Sequence, residues 1–353
     1  MQSLIDQYSA TIRLAAEECR PLCIRGSGSK DFYGGPLEGD VLNATPYRGI
    51  VDYEPTELVI TARAGTPLAE IETLLAANGQ MLAFEPPHFG LQATLGGCVA
   101  AGLSGPRRAH AGAVRDFVLG VRMLDGRGDD LRFGGQVMKN VAGYDVPRLM
   151  AGSLGTLGML LEISLKVLPR PAEEMSLCFE MDQAQAIQTM NSFAGRPLPL
   201  SASCHQAGLL TLRLSGAASA VRAAHTKLGG EALHNGEHFW RGIREHSAHF
   251  FDTGLPLWRL SLSSTQPPLP LPGKQLIEWN GALRWLASDA DAAAVRDAVS
   301  ATGGQAALFR TPSGERRDVF HPLAPALMEL QRRLKRAFDP QGIFNRGRIY
   351  AGV

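Results

Sequence analysis

No two cysteines in this chain are spaced Cys-x-x-Cys, and the five present (Cys19, Cys23, Cys98, Cys178, Cys204) make an odd number. That argues against a zinc ribbon, a redox dithiol and the cysteine runs that hold iron–sulfur clusters, and it predicts reduced core thiols in a cytoplasmic protein. Excess charge is missing too. The formal net charge is +1 over 353 residues, with basic residues scattered rather than grouped, so there is no nucleic-acid footprint. No apolar run reaches bilayer-spanning length; the best candidate, LMAGSLGTLGMLLEISL, is broken by glycines and Glu162. The opening MQSLIDQYSATIRLAAEECR lacks a basic n-region and reads as an amphipathic helix on Leu4, Tyr8, Ile12 and Ala15, not as a signal peptide. His246 and His249 could share a helix face, as could His234 and His238, but neither pair has a third ligand, so no metal site is expected.

Glycine is what the first half has in quantity. CIRGSGSKDFYGG, residues 23–35, follows the apolar Leu22-Cys23-Ile24. A Walker loop needs Gly-Lys-Ser/Thr, and here Lys30 follows Ser29. A Rossmann turn needs a third glycine where Asp31 stands, then a helix that Gly34-Gly35-Pro36 forbids. What remains is a strand entering a glycine-rich turn, either an ordinary tight turn or a nest of backbone N–H groups for an anion. ATLGGCVAAGLSG (93–105) and KNVAGYDVPRLMAGSLGTLG (139–158) are similar stretches where backbone can approach a flat ligand closely.

Residues 1–170 mix such loops with strands. ELVITARAG reads as a strand, followed by a helix capped by Thr66, opened by Pro67, closed by Gly79 and buried along Leu68, Ile71 and Leu75. A short helix runs from an Asp145 cap to Gly152. Leu161, Ile163, Leu165 and Val167 then alternate with polar residues in a half-buried strand ending at Pro169. LPRPAEE marks a boundary. Beyond it LSLCFEM, LLTLRLSG, PLWRLSLSS, KQLIEWNGALRWLAS and QAALFRT read as strands. They are interleaved with the helical DQAQAIQTMNSF, AASAVRAAHTKLGG, GEHFWRGIREHSAHF and DAAAVRDAVSATGG. This predicts an α+β domain over 171–322 with a mainly antiparallel sheet, built as two ferredoxin-like halves, with QPPLPLPG an extended, exposed connection. Residues 323–353 give a helix with Leu327, Leu330 and Leu334 on one face and a turn-rich tail, FDPQGIFNRGRIY.

In their order, RGSGS, EPP, ATLGG, KNVAGYD, GSLGTLG and DPxGIFNRGR resemble the FAD-binding domain of the vanillyl-alcohol-oxidase/p-cresol-methylhydroxylase superfamily, over residues 1 to about 170 plus the tail from about 323. The fuller signatures IRGSGSKDFYG, AFEPPHFG, LSGPRRAHAGAVRDFVLG and VMKNVAGYDVPRLMAGSLGTLG resemble the FAD-binding subunits of bacterial glycolate oxidase. The resemblance implies a two-part FAD domain, 1–170, an α+β cap, 171–322, and a tail that returns to the flavin domain. It implies that Arg25, Gly26, Ser27, Gly28, Ser29 and Lys30 cradle the pyrophosphate. Pro86, Pro87, Thr94, Leu95, Gly96 and Gly97 would approach the ribityl chain and isoalloxazine, and Gly102, Ser104 and Gly105 would continue that wall. Gly155, Gly158 and Leu160 would meet the adenine end, and Asn345 and Arg348 would fold back towards the flavin. Several superfamily members tether FAD through a histidine in the first loop; Ser29-Lys30 stands there here, so the FAD is expected to be non-covalent.

The resemblance also implies partners, a catalytic flavoprotein subunit and an iron–sulfur subunit, with any inner-membrane contact made through them. Related catalytic subunits carry a metal-linked set of histidines and acids in the second domain, and no such stretch is found here. The expected role is therefore relay or assembly within a complex that oxidises glycolate to glyoxylate, with no catalytic residue assigned. The alternatives are an independent FAD-dependent oxidoreductase of another 2-hydroxy acid or alcohol, and a flavin-free structural subunit. Arg107 and Arg108 are carboxylate-binding candidates or a surface pair. Trp279 and Trp285 line the cleft from the cap or pack its core, and Tyr144 is structural or reaches the cofactor.

Overall fold

Spacings of three and four residues between Ile5, Tyr8, Ile12 and Ala15 place them on one side of the helix Gln2–Glu17, and that side is buried; Leu4 sits at its edge. This computed structural model describes residues 1–135, 144–314 and 316–353; the KNVAG part of the third glycine-rich stretch lies outside the described residues. The Tyr8 hydroxyl donates to Asn43 O at 2.8 Å, seating the helix against a parallel pair, Leu22–Arg25 and Asp40–Asn43. The C-terminal tail joins the same pair: Leu22 N donates to Ile343 O at 2.8 Å and Asn345 N to Leu22 O at 2.9 Å.

A five-stranded antiparallel sheet follows, ordered Ile50–Glu54, Val59–Arg63, Met159–Lys166, Val118–Leu124, Asp130–Gly134. Its central strand buries Leu161, Ile163 and Leu165 completely, as two-sided packing at the middle of a sheet requires. The helices Leu68–Ala77 and Leu95–Ala101 contribute Leu68, Ile71, Leu75, Leu95, Cys98 and Val99 to the core beside it. The expected Thr66 cap does not form. Pro67 is the capping residue, and Thr66 Oγ1, fully buried, accepts from Gly49 N at 2.9 Å. A buried hydroxyl takes whichever donor packing presents, and here that is the neighbouring turn. Asp145 does cap its helix, Val146–Met150, accepting from Arg148 N at 3.3 Å.

Residues 173–310 form an eight-stranded sheet whose ladders are all antiparallel. Glu173–Glu180, helix Gln183–Ala194, Leu200–Gln206, Leu209–Gly216, helix Ala218–Leu228 and Glu231–Ala232 make a ferredoxin-like unit with strands in the spatial order fourth, first, third, second. Leu257–Ser261, Lys274–Glu278, Leu283–Ala287, helix Ala292–Ser300 and Gln305–Arg310 repeat that order, and the two second strands pair edge to edge. The repeat lacks its first helix. The proline-rich segment takes that place, and it is not fully exposed: Leu269 packs with Trp258, Leu260 and Val295 over the sheet. KQLIEWNGALRWLAS is two strands, because Trp279, Asn280 and Gly281 all have positive φ and turn the chain into a hairpin.

Two further expectations change. Helix Pro325–Phe338 leaves Leu327 and Leu330 about half exposed, and only Leu334 of the three packs against the core. His246 and His249 do not share a face, since the helix ends at Arg244 and His246 turns back with φ +53° while His249 is exposed. All five cysteines are free, three of them buried; Cys19 is exposed rather than in the core.

Candidate cofactor-binding site

A cleft opens beside the first glycine-rich loop. Arg25, Gly26, Ser27, Gly28, Ser29 and Lys30 all line it. The loop turns back on itself at Gly28, φ +81°, and Asp31 N donates to Gly28 O at 3.0 Å. Across the turn the Arg25 guanidinium pairs with Asp31 at 2.6 Å. Among the described residues no acceptor takes the backbone N–H of Gly26, Ser27, Gly28, Ser29 or Lys30. Five successive peptide donors without partners, in the wall of a cleft, form a site for an anion. Lys30 is buried, and its ammonium donates to His88 O at 3.1 Å; burial pushes its pKa down.

The opposite walls come from later in the chain. Thr94, Gly96, Gly97, Gly155, Gly158 and Leu160 line the cleft, as do Asn345 and Arg348. Several of these glycines are required by neighbouring protein atoms: a Cβ on Gly96 would lie 2.8 Å from the Ala64 Cβ, and one on Gly155 2.6 Å from Asn345 Nδ2. Asn345, φ +40°, donates from Nδ2 to Leu154 O at 2.7 Å and accepts at Oδ1 from Ile24 N at 2.6 Å. Arg348 donates to the carbonyls of Tyr33 and Gly35, and burial pushes its pKa down to about 10. Both tail residues hold the loop and the Leu154 turn together, a positioning role. Ala44, Ala64, Ala100, Ala101 and Ser153 also line the cleft and were not singled out in the sequence. Small size is their common signal, and it is too frequent to read alone.

The other sequence candidates lie elsewhere. Leu95 is core. Gly102 ends its helix at φ +68°, against the Gly152 backbone, and Pro86 is buried outside the cleft. Pro87, Ser104 and Gly105 line a second, smaller cavity between the two sheets' layers, with Phe89, Arg259, His246, Glu278, Trp279, Trp285 and Phe309. Tyr144 is 95% exposed and reaches neither. Arg107 is consumed by Glu85, at 3.4 Å, and by Glu174. Glu85 also pairs with Arg213 of the larger sheet at 2.8 Å; burial pushes its carboxyl up, but Arg213 and Arg107 hold it below the ordinary range.

Glu278 is the carboxyl most perturbed by this cavity. It is 4% exposed, accepts from Trp285 Nε1 at 2.8 Å, and burial pushes it from 4.5 up to about 7. The folded chain thus keeps a proton that the unfolded chain releases. That contribution to stability is complete below about pH 4.5 and is lost as pH rises through about 7, a difference of about 3 kcal/mol. Glu278→Gln keeps the acceptor for Trp285 and removes the titration. Denaturant unfolding from pH 4 to 8.5 should therefore show the variant gaining about 3 kcal/mol over the wild type as pH rises. Parallel curves would rule out a buried carboxyl that ionises.

The fold and the cleft define a flavoprotein-type chain: a two-part FAD-binding region with a cap of two ferredoxin-like units. Residues 4–134 match the family model described as FAD binding domain. The solved structure of alkyldihydroxyacetonephosphate synthase superposes with a TM-score of 0.65 at 15% identity, covering 96% of this chain and 74% of that one, a likeness of fold. The glycolate oxidase subunit GlcE of Escherichia coli K12 is 48% identical over 350 residues, 99% of this chain and 97% of that protein. This chain belongs to that family of glycolate oxidase subunits. The glycolate oxidase subunit GlcD of Bacillus subtilis is 30% identical over 200 residues, 55% of this chain and 42% of its own length. A D-lactate dehydrogenase of Anaerostipes hadrus is 29% identical over 192 residues, 53% and 40%.

Proposed function

We propose that this chain is the FAD-binding subunit of a multi-subunit glycolate oxidase, in a relay or assembly role beside a catalytic flavoprotein subunit and an iron–sulfur subunit. The observation that carries the reading is the run of five unpartnered peptide N–H groups, residues 26–30, in the cleft wall of a chain from this family. The residues fit the cofactor. The loop would hold its pyrophosphate, Ser27 and Ser29 add hydroxyl donors, and the small residues of the facing wall leave room for a flat ring. Among the described residues, no histidine, cysteine or tyrosine lines the cleft, which supports non-covalent attachment. Bound FAD supplies the two-electron chemistry of such a complex. Residues 1–170 and 323–353 act as the flavin domain and 171–322 as its cap, since all the lining residues of the cleft fall in the first and last of these. Among the described residues no helix is long and apolar enough to cross a membrane. We place the chain in the cytoplasm, with membrane contact through its partners.

Anaerobic mixing of the FAD-loaded chain with glycolate tests the relay role. Flavin bleaching should be at least ~100-fold slower than turnover of the assembled complex, the scale expected when positioned acid–base groups are lacking. Bleaching at the rate of the complex would instead favour the second reading, an independent oxidoreductase, for which Glu278, His246 and Arg259 around one small cavity are the supporting observation.

A further inference from the structure

Two prolines strip one turn of its hydrogen-bond donors. In Glu85-Pro86-Pro87-His88-Phe89 the prolines carry no N–H, so His88 and Phe89 are the first residues after Glu85 whose backbone can donate. Both donate to a single atom, Glu245 Oε2, at 3.0 Å each. Glu245 directly follows the cap helix Gly236–Arg244, and its other oxygen accepts from Arg244 Nε at 2.8 Å. The clamp therefore crosses from the cap to the flavin domain. It also fixes Phe89 at φ +51°, a left-handed backbone that a bulky residue keeps only where its surroundings hold it.

The far side of the same turn holds Lys30. The His88 carbonyl that accepts from the Lys30 ammonium at 3.1 Å belongs to the peptide whose N–H, on Phe89, donates to Glu245. One peptide group thus stands between a carboxylate and an ammonium, and each end strengthens the other. Lys30 needs that balance. It is buried, and among the described residues no carboxylate pairs directly with its ammonium. Its remaining contacts are Ser29 Oγ at 3.5 Å and the Phe89 ring, centred 5.9 Å away. Burial pushes its pKa down, and the charge of Glu245 acts against that.

We propose that Glu245 is a positioning residue for the glycine-rich loop: it holds Lys30 through the His88–Phe89 peptide, so that the cap sets the shape of residues 26–30. That this shape serves FAD rests on the proposed function. Glu245 is not among the residues that line the cleft, so it acts through Lys30 and not by touching the cofactor. Cap and loop then respond together. A shift at the end of the cap helix frees the turn, and the freed turn releases Lys30.

Two readouts on the full chain test the linkage. The first is hydrogen exchange, without flavin, at the amides of Asp31 and Tyr33, which close the loop on Gly28 O and Lys30 O. The second is equilibrium dialysis with free FAD. Glu245→Ala should speed exchange at both amides and weaken FAD binding at least ~10-fold, the worth of one charge-assisted hydrogen bond. Glu245→Gln keeps an oxygen for both N–H groups and should stay within ~3-fold of the wild type. In a Lys30→Met background, Glu245→Ala should change FAD affinity by less than ~3-fold, because the link it breaks is already gone. If the alanine variant fails to fold, Glu245→Asp, one methylene too short for the clamp, takes its place with the same expectations. Unchanged exchange at Asp31 and Tyr33, no rescue by glutamine, or equal losses with and without Lys30 would each overturn the proposal. A wild type that binds no FAD refutes the flavin reading instead, and the exchange data then decide the linkage alone.

Discussion

Lys335→Met should destabilise the protein by about 3–5 kcal/mol, the range for a buried charge stripped of its partner. The Lys335 ammonium pairs with Asp339 at 2.9 Å and donates to Thr156 O at 2.7 Å and Phe344 O at 2.6 Å. Asp339 is fully buried and accepts from Ile343 N and Phe344 N at 3.0 and 2.8 Å. Methionine keeps the stem and removes the charge, leaving one carboxylate and two carbonyls without their cation. Because Asp339 and Lys335 together fix the Phe344-Asn345 segment, the tail should loosen from Leu22–Arg25 and flavin affinity should fall with stability. Denaturant unfolding at neutral pH measures the first effect. Asp339→Asn with Lys335→Met should recover part of the loss, since it removes the unpaired charge while the amide oxygen still accepts from one of the two backbone donors. A single variant within about 1 kcal/mol of wild type would mean that the pair does not anchor the tail.

Gly28→Val should abolish tight flavin binding while leaving the secondary structure intact. Gly28 has φ +81°, and a Cβ there would fall on the Arg25 guanidinium and 2.9 Å from Asp31 Oδ2. A β-branched residue is strained at that φ whatever the space, so the loop must change path. Its peptide N–H groups then no longer converge. Loss of two charge-assisted hydrogen bonds, about 1.5 kcal/mol each, corresponds to ~100-fold weaker FAD binding. Equilibrium dialysis with free FAD reads the change and circular dichroism checks the fold. Full retention of affinity would show that this loop does not hold the phosphates.

The cleft was legible because its signal is local. A run such as RGSGSK announces positive φ and close backbone approach through residue type alone, and fourteen residues singled out from such runs and from the tail line one cleft. The engagement of the charged members was not legible. Arg25 is tied across its own turn to Asp31, and Lys30 reaches a carbonyl 58 positions away. Strand Leu200–Gln206 was invisible for a related reason. Its serines and His205 are buried by long-range bonds, Ser201 with Arg213, Ser203 with Asn280 and His205 with Met181 O, and such partners lie outside any sequence window. The hairpin at 279–281 was readable in principle, since Asn-Gly between apolar runs is a turn signal. Leu327 and Leu330 have helical spacing, but spacing cannot say whether a face meets this chain or something else. The second cavity draws His246, Arg259 and Glu278 from a helix end and two separate strands, so no motif could have announced it.

The central claim is that the five-donor loop holds FAD without a covalent bond. The most direct test is the visible spectrum of the purified chain before and after acid precipitation. Flavin absorption that passes wholly into the supernatant, at about one FAD per chain, is the expected result. A colourless protein that takes up no added FAD would contradict the claim, as would flavin that stays with the pellet.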